Sequence, residues 1–301
     1  MLVSCSSKEV DLPLRCRLQE RSISVKQWTL VCLSLWVVIG CTDDEDRWNQ
    51  AGMKVAARAS AWRHQLDDPT NPDSSRMAAA QGLLRLDPQF LAARYTQYPR
   101  LLRATIDQAV TAQDTTCLPL LIQLFERPGE QRTQFKKDFV TFGGLARPYL
   151  VVLLGHPDRG VVVAAAEALA ETGVEAAATD LAPLLTHSDD WIRMGAAHAL
   201  GQLRTTSATA ALLTALSDTA YAVVNAALVG LGNQHAASAY EPAMALLHDH
   251  RPEVRKHAAH ALGQFGNLAA RNELQRVSEE DADASFRFMA SRALQTLAAG
   301  N

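Results

Sequence analysis

The side chains best suited to chemistry in this sequence are nine histidines and five cysteines. Histidines at helical spacing can ligate a metal or pass a proton. His257 and His260 lie three residues apart, with His248 and His250 in the stretch before them. A zinc ion needs its ligands within about 2.1 Å, and only His248, His250 and His257 stand close enough in sequence to converge. His198 and His260 hold the same place two units apart in the repeat described below. Helices pack about 8–10 Å apart, which puts those two imidazoles roughly 20 Å from each other. The chain has no Cys-X-X-Cys spacing, no His-Glu dipeptide, no glycine-rich phosphate loop and no Gly-X-Ser-X-Gly elbow. The histidines therefore read as a solvated surface cluster. No catalytic residue, resident metal, cofactor or small-molecule substrate is assigned.

The cysteines divide by position. Cys117 sits in the apolar run Cys117-Leu118-Pro119-Leu120-Leu121 and reads as a buried structural thiol. Cys5, Cys16, Cys32 and Cys41 all fall within the first 41 residues. There, residues 28–39 form an uncharged apolar run preceded by Lys26. Twelve helical residues span about 18 Å, short of the roughly 30 Å hydrocarbon core, so the run reads as a signal peptide rather than a membrane span. Its end, Val38-Ile39-Gly40-Cys41, resembles the lipobox of bacterial lipoproteins. That resemblance implies cleavage before Cys41, a lipid on Cys41, and display on the periplasmic side of a bacterial envelope. Thr42, rather than Asp, follows the cysteine, which by the enterobacterial sorting pattern favours the outer membrane. Residues 1–24 make a long leader containing Glu9, Asp11 and Glu20. A start at Val25, read as Met from a GTG codon, would give a compact one.

The elements behind these residues are helical in character. Hydrophobic residues make up 48% of the chain but aromatics only 6%, which suits closely packed helices better than a β-sandwich. Beyond residue 40, 24 Lys and Arg stand against 29 Asp and Glu, a net −5. An acidic body is a poor match for phosphate backbones, so nucleic acid is not expected as a partner.

The second half carries a repeat. Segments starting at Val161, Ile192, Val223 and Val254 align without gaps at a constant step of 31, and a fifth copy starts at Phe286, one residue late. Counting the first residue of each as position 0, positions 0, 4, 7, 8 and 11 form an apolar stripe at helical spacing. Alanine at 4 and 7 allows close helix approach, leucine at 8 supplies bulk, and glycine at 9 or 12 is expected where the helix ends. An apolar run precedes each segment, for example Leu181-Ala182-Pro183-Leu184-Leu185, and reads as a first helix. A polar turn such as His187-Ser188-Asp189-Asp190 can cap the second.

The pattern of β-branched residue, Arg, paired Ala and Ala-Leu-Gly, clearest over Ile192–Leu203 and Val254–Gly266, resembles the HEAT-like repeats named after the phycobilisome lyases. The resemblance covers about residues 145–299. It implies an all-α solenoid of stacked helix pairs, with about five clear repeats and degenerate helices before them. The expected organisation is a signal peptide over 1–40, a lipidated tether over 41–48, an irregular helical cap or degenerate repeats over 49–144, and the array over 145–301. Arg76–Leu86 echoes Arg193–Leu203, and residues 49–66, 118–125 and 134–142 also read as helices.

HEAT arrays line a concave face with their second helices, and that face is their usual binding surface. Positions 2, 6 and 9 are expected to point away from the apolar stripe, and positions 2 and 6 supply Met194, His198, Val229, Lys256, His260, Phe288 and Arg292 as a candidate partner-binding stripe. Met194, Val229 and Phe288 are expected to be exposed on it. The function expected is a non-enzymatic scaffold or adaptor that holds a protein or peptide partner. The alternatives are an accessory protein that assists one enzyme, lyase-fashion, or a cytoplasmic adaptor if no signal peptide is present.

Overall fold

The computed structural model describes residues 45–127, 129 and 131–299. The expected signal peptide, the alternative start at Val25 and the lipidation site Cys41 lie outside the described residues. The chain divides into two compact units, 1–54 and 55–301. No strand occurs among the described residues.

Helix α1 (Glu45–Asp67) is followed by α2 (Asp73–Leu86). Seven further helix pairs come after it: α3 (Pro88–Arg94) with α4 (Pro99–Thr111), α5 (Leu118–Phe125) with α6 (Arg132–Phe142), α7 (Arg147–Leu153) with α8 (Arg159–Glu171), α9 (Ala177–Leu181) with α10 (Asp190–Gln202), α11 (Thr206–Ala215) with α12 (Tyr221–Asn233), α13 (Tyr240–Leu246) with α14 (Pro252–Phe265), and α15 (Arg271–Glu280) with α16 (Ala284–Ala299). The second helices stack directly on one another from α8 to α16. The expected α-solenoid of HEAT-type pairs is the observed architecture. The run from Leu181 to Leu185 is not one helix, however. After α9 it tightens into a 3-10 turn over Ala182–Thr186, where Pro183 removes a backbone donor.

Burial follows the register. Position 0 (Val161, Ile192, Val223, Val254, Phe286) and position 4 (Ala165, Ala196, Ala227, Ala258, Ala290) are buried in every copy. Position 11 is not uniformly apolar. Gln234 there donates its carboxamide to the Leu200 carbonyl at 3.0 Å and accepts from the Thr209 hydroxyl at 2.8 Å, tying α12 back to the preceding repeat.

The glycines at position 9 lie in the last turn of their helices, one or two residues before the end as expected, but they are not the caps and do not point away from the apolar stripe. Gly201, Gly232 and Gly263 lie inside α10, α12 and α14, where each meets the small residue at position 7 of the next second helix. A methyl added at Gly201 would stand 2.7 Å from the Cα of Gly230, and one at Gly263 would stand 2.9 Å from the Cα of Ala293. Backbone thus rests on backbone, repeat after repeat. Only the position-12 glycines terminate: Gly173 and Gly266 adopt φ of +68° and +71°, a conformation that a Cβ disfavours.

The turns repeat as strictly as the helices. Five residues before position 0, His156, His187, Asp218, Asp249 and Asp281 each accept the backbone N–H two residues on, at 2.8–3.0 Å. Asp158, Asp189 and Asp283 then cap the second helices by accepting from Gly160, Trp191 and Ser285. The arginine at position 1 clamps this turn. Arg193, Arg255 and Arg287 each donate to the carbonyl at position −5, at 2.8, 3.0 and 2.6 Å. In the copy that has Val224 at position 1, Arg251 of the next turn takes the Asp218 and Thr219 carbonyls instead.

The same frame reaches upstream. Gln113 and Gly143 have φ of +55° and +54° and precede Gly173 in steps of 30. Counting back from them, α4 and α6 bury Leu102, Thr105, Ile106 and Ala109, and then Phe135, Asp138, Phe139 and Phe142, as second helices do. Here aromatic pairs do the filling: Phe125 meets Phe139 edge-on with centroids 5.6 Å apart, and Tyr95 meets Phe135 at 5.7 Å. Asp138, 4% exposed, lies against Arg103 of α4 at 2.7 Å. Cys117 is buried beside them, and desolvation pushes its thiol up to about 12, far from the thiolate that reactivity needs.

Candidate functional site

Stacking the second helices brings their outward positions into one line. Two cavities open along it. The first, about 380 Å³, is lined by His198, Val229, Gly230, Asn233, His235 and Gln264 among others. The second, about 400 Å³, is lined by Val229, Glu253, Lys256, His257, His260 and Met289. Val229 lines both, so the two adjoin there, a groove in two parts along the face of α10, α12, α14 and α16.

Gly201, Gly230 and Gly232 contribute to the lining of the first cavity, but their Cβ directions face neighbouring protein atoms rather than the cavity. The Gln264 carboxamide lies against Gly232, in the space that a Cβ there would fill.

Of the seven stripe residues, His198, Val229, Lys256 and His260 line the groove. His198, His260, Phe288 and Arg292 are exposed, Phe288 at 62%. Met194 and Val229 are not exposed as expected. Both are half-buried, and Met194 packs on the core because its unbranched side chain folds down between neighbouring helices. Lys256 is held by Glu253 at 2.9 Å and Asp283 at 3.6 Å rather than standing free.

Sequence reasoning missed Arg204, Asn233, His235, Gln264 and Met289. Their positions fall outside the 2 and 6 set, and a second-helix end contributes to the face through its turn residues. The signal that could have found them is position 10, which reads Gln202, Asn233 and Gln264 in successive copies.

Histidine bonding is local. His235 Nδ1 meets the Gln264 carbonyl at 2.8 Å, and His257 Nδ1 meets the Glu253 carbonyl at 2.8 Å. The carbonyls fix both rings with Nδ1 protonated and Nε2 open. His248 faces Glu273 at 3.4 Å and His250 faces Asp249 at 3.4 Å. Among the described residues no three His, Cys, Asp or Glu side chains gather as a metal site. Desolvation, then the nearby His257 and Arg292 cations, hold the His260 pKa below its ordinary value. The groove can therefore offer hydrogen bonds, apolar contact and imidazoles. It offers no nucleophile paired with a base.

Residues 146–232 and 209–295 match the family model described as HEAT repeats. No curated protein matches the sequence. Among solved structures, human deoxyhypusine hydroxylase in complex with glycerol is 18% identical, over 83% of this chain and 99% of that one, with a TM-score of 0.38. The complex of CpcE and CpcF of phycocyanin lyase from a Nostoc species is 19% identical, over 60% of this chain and 99% of that one, with a TM-score of 0.40. A designed armadillo repeat protein is 18% identical, over 79% of this chain and 98% of that one, with a TM-score of 0.39.

Proposed function

We propose that this chain, whose residues 146–295 are HEAT repeats, is a non-enzymatic interaction scaffold that holds a segment of a protein partner along its second-helix groove. HEAT arrays suit such a role because each added repeat lengthens one continuous face. The observation that carries the reading is the pair of cavities that adjoin at Val229, a groove in two parts over successive repeats. Its lining mixes apolar Val229 and Met289 with carboxamides and imidazoles, groups that can meet both the side chains and the backbone of a peptide.

The second part of the proposal is location: a lipid on Cys41 tethers the array to the periplasmic side of a bacterial envelope, with the acidic run Thr42-Asp43-Asp44-Glu45-Asp46 leading into α1. The Val38-Ile39-Gly40-Cys41 resemblance supports it.

Two measurements test the two parts separately. A photo-crosslinking amino acid placed at Val229 in the producing cell should trap one defined protein, and the same group at the exposed Val152 on α7 should not. Identical products from both positions would refute the groove reading. The intact mass of the detergent-extracted protein should show an acylated chain beginning at Cys41. An unprocessed soluble chain would refute the tether and return the partner search to the cytoplasm.

A further inference from the structure

We propose that the groove takes an extended, acidic peptide segment and holds it more tightly as the pH falls through the histidine range. The inference rests on the groove reading above and adds the chemistry of the occupant.

Charge is the first argument. Although the sequence as a whole carries a net −3, this face is cationic. Arg204, exposed at the rim of the first cavity, has no carboxylate partner among the described residues. Arg292 of α16, exposed beside His260, has none either. Arginines elsewhere in the array commonly do: Arg147 bonds Asp180 at 2.7 Å, Arg193 bonds Asp218 at 2.8 Å and Arg251 bonds Asp249 at 2.8 Å. Two unpaired guanidiniums flanking a groove are a ready match for carboxylates.

Between them lie the titratable groups. Helix α10 contributes His198, the turn after α12 contributes His235, and α14 contributes His257 and His260. The other charges facing them are Lys256 and Glu253 of α14, which pair with each other, and Asp283 before α16, which also meets Lys256. Glu253 is the one carboxylate that lines either cavity. An imidazole that gains a proton there adds positive charge with little local acid to absorb it, although desolvation and its cationic neighbours make His260 resist that step, and a carboxylate-bearing ligand supplies what is missing.

Shape is the second argument. Gln202, Asn233 and Gln264 recur at position 10 of three successive repeats, and all line the first cavity. A carboxamide both donates and accepts, as the N–H and C=O of a peptide backbone require. Stacked helices lie about 8–10 Å apart, close to three residues of extended chain at roughly 3.3 Å each. Gln264 turns its Oε1 into the buried space against Gly232 and its NH2 towards Asn233 Oδ1 at 3.5 Å, so the exposed carboxamides of Gln202 and Asn233 are the ones a peptide backbone would meet.

The test is fluorescence anisotropy of a labelled decapeptide of alternating Asp and Val, against Lys-Val and Ser-Val decapeptides and decathymidylate, at pH 5.5 and 7.5. The Asp-Val peptide should bind alone, and about tenfold more tightly at pH 5.5. The double variant Arg204→Ser and Arg292→Ser, at two exposed residues, should keep its melting temperature and lose at least tenfold in affinity. No binding of the Asp-Val peptide, equal binding of the Ser-Val or Lys-Val peptide, unchanged affinity in the double variant, or decathymidylate binding as tightly would overturn the inference. If crosslinking from Val229 persisted through such a result, the groove reading would stand and only its acidic ligand would fall. Loss of both would end the two together.

Discussion

A hydrogen in place of a methyl group decides whether two of these helices can touch. Gly230→Ala places a Cβ 2.7 Å from the Cα of Gly201 and 3.2 Å from Leu212, so α10 and α12 must part. The expected cost is about 1–3 kcal/mol by urea unfolding, the range for overpacking. Gly52 has nothing within 4 Å of its virtual Cβ, and Gly52→Ala should instead be neutral or stabilise by up to about 1 kcal/mol. Equal losses at the two sites would contradict the backbone contact. The turn carboxylates make a separate prediction. The hydrogen bond from Arg251, aided by its charge, holds the Asp249 carboxyl at about 2, below the ordinary 3.8. Asp218 is also lowered: desolvation is the largest influence and raises it, but the Arg193 bond and the Ala220 N–H prevail. A depressed pKa favours the folded chain above pH 3.8 and loses that advantage as pH falls towards 2. Asp249→Asn should therefore lower stability at pH 7 and flatten the acid limb of a melting-temperature profile; a profile parallel to that of the parent would refute it. At this scale the sequence was only partly legible. His187 stood out as a polar turn residue, but nothing in its identity announces that it does the work of Asp218 and Asp249. Met194 was misjudged because helical phase places a Cα, whereas a long flexible side chain chooses where to lie.

Each repeat is closed by a turn as much as by a core. Arg193 holds its own turn through the His187 and Ser188 carbonyls and reaches the next through Asp218 at 2.8 and 3.0 Å. Arg193→Ala should cost about 1.5–3 kcal/mol, the range for hydrogen bonds to charged groups, with the double variant Arg193→Ala, Asp218→Ala losing less than the sum of the singles. Leu200→Ala and Leu262→Ala remove fully buried side chains and should each cost about 2–5 kcal/mol in thermal or denaturant unfolding. The helix pairs from Val161 onward could be read from sequence because alanine and leucine recur at a fixed step. The pairs before them could not be framed so easily. Phe135 and Phe139 fill places that later copies give to Ala and Leu, Asp138 puts a charge where Ala stands, and the step between the left-handed residues shortens to 30. Packing volume was kept while residue identity was not, and identity is what a search for self-similarity sees.

A stack in which each pair meets only its neighbours has stability close to a sum along its length. Deleting residues 268–301, which removes α15 and α16, should lower the unfolding midpoint while leaving the helicity per residue of the remainder unchanged by circular dichroism. Collapse of the whole signal would show a core shared more widely than the stacking implies. Four residues of the expected stripe, His198, Val229, Lys256 and His260, line the cavities, and position 10 and the turn residues join them from beside the stripe. The contact between a glycine at position 9 and a small residue at position 7 has a consequence for ancestry. Each unit carries both halves of the joint, the socket on one side and the fitting on the other. An in-frame tandem duplication of 31 codons would therefore insert a copy that docks on both flanks at once, and a chain built this way can grow from its middle without first inventing a new interface.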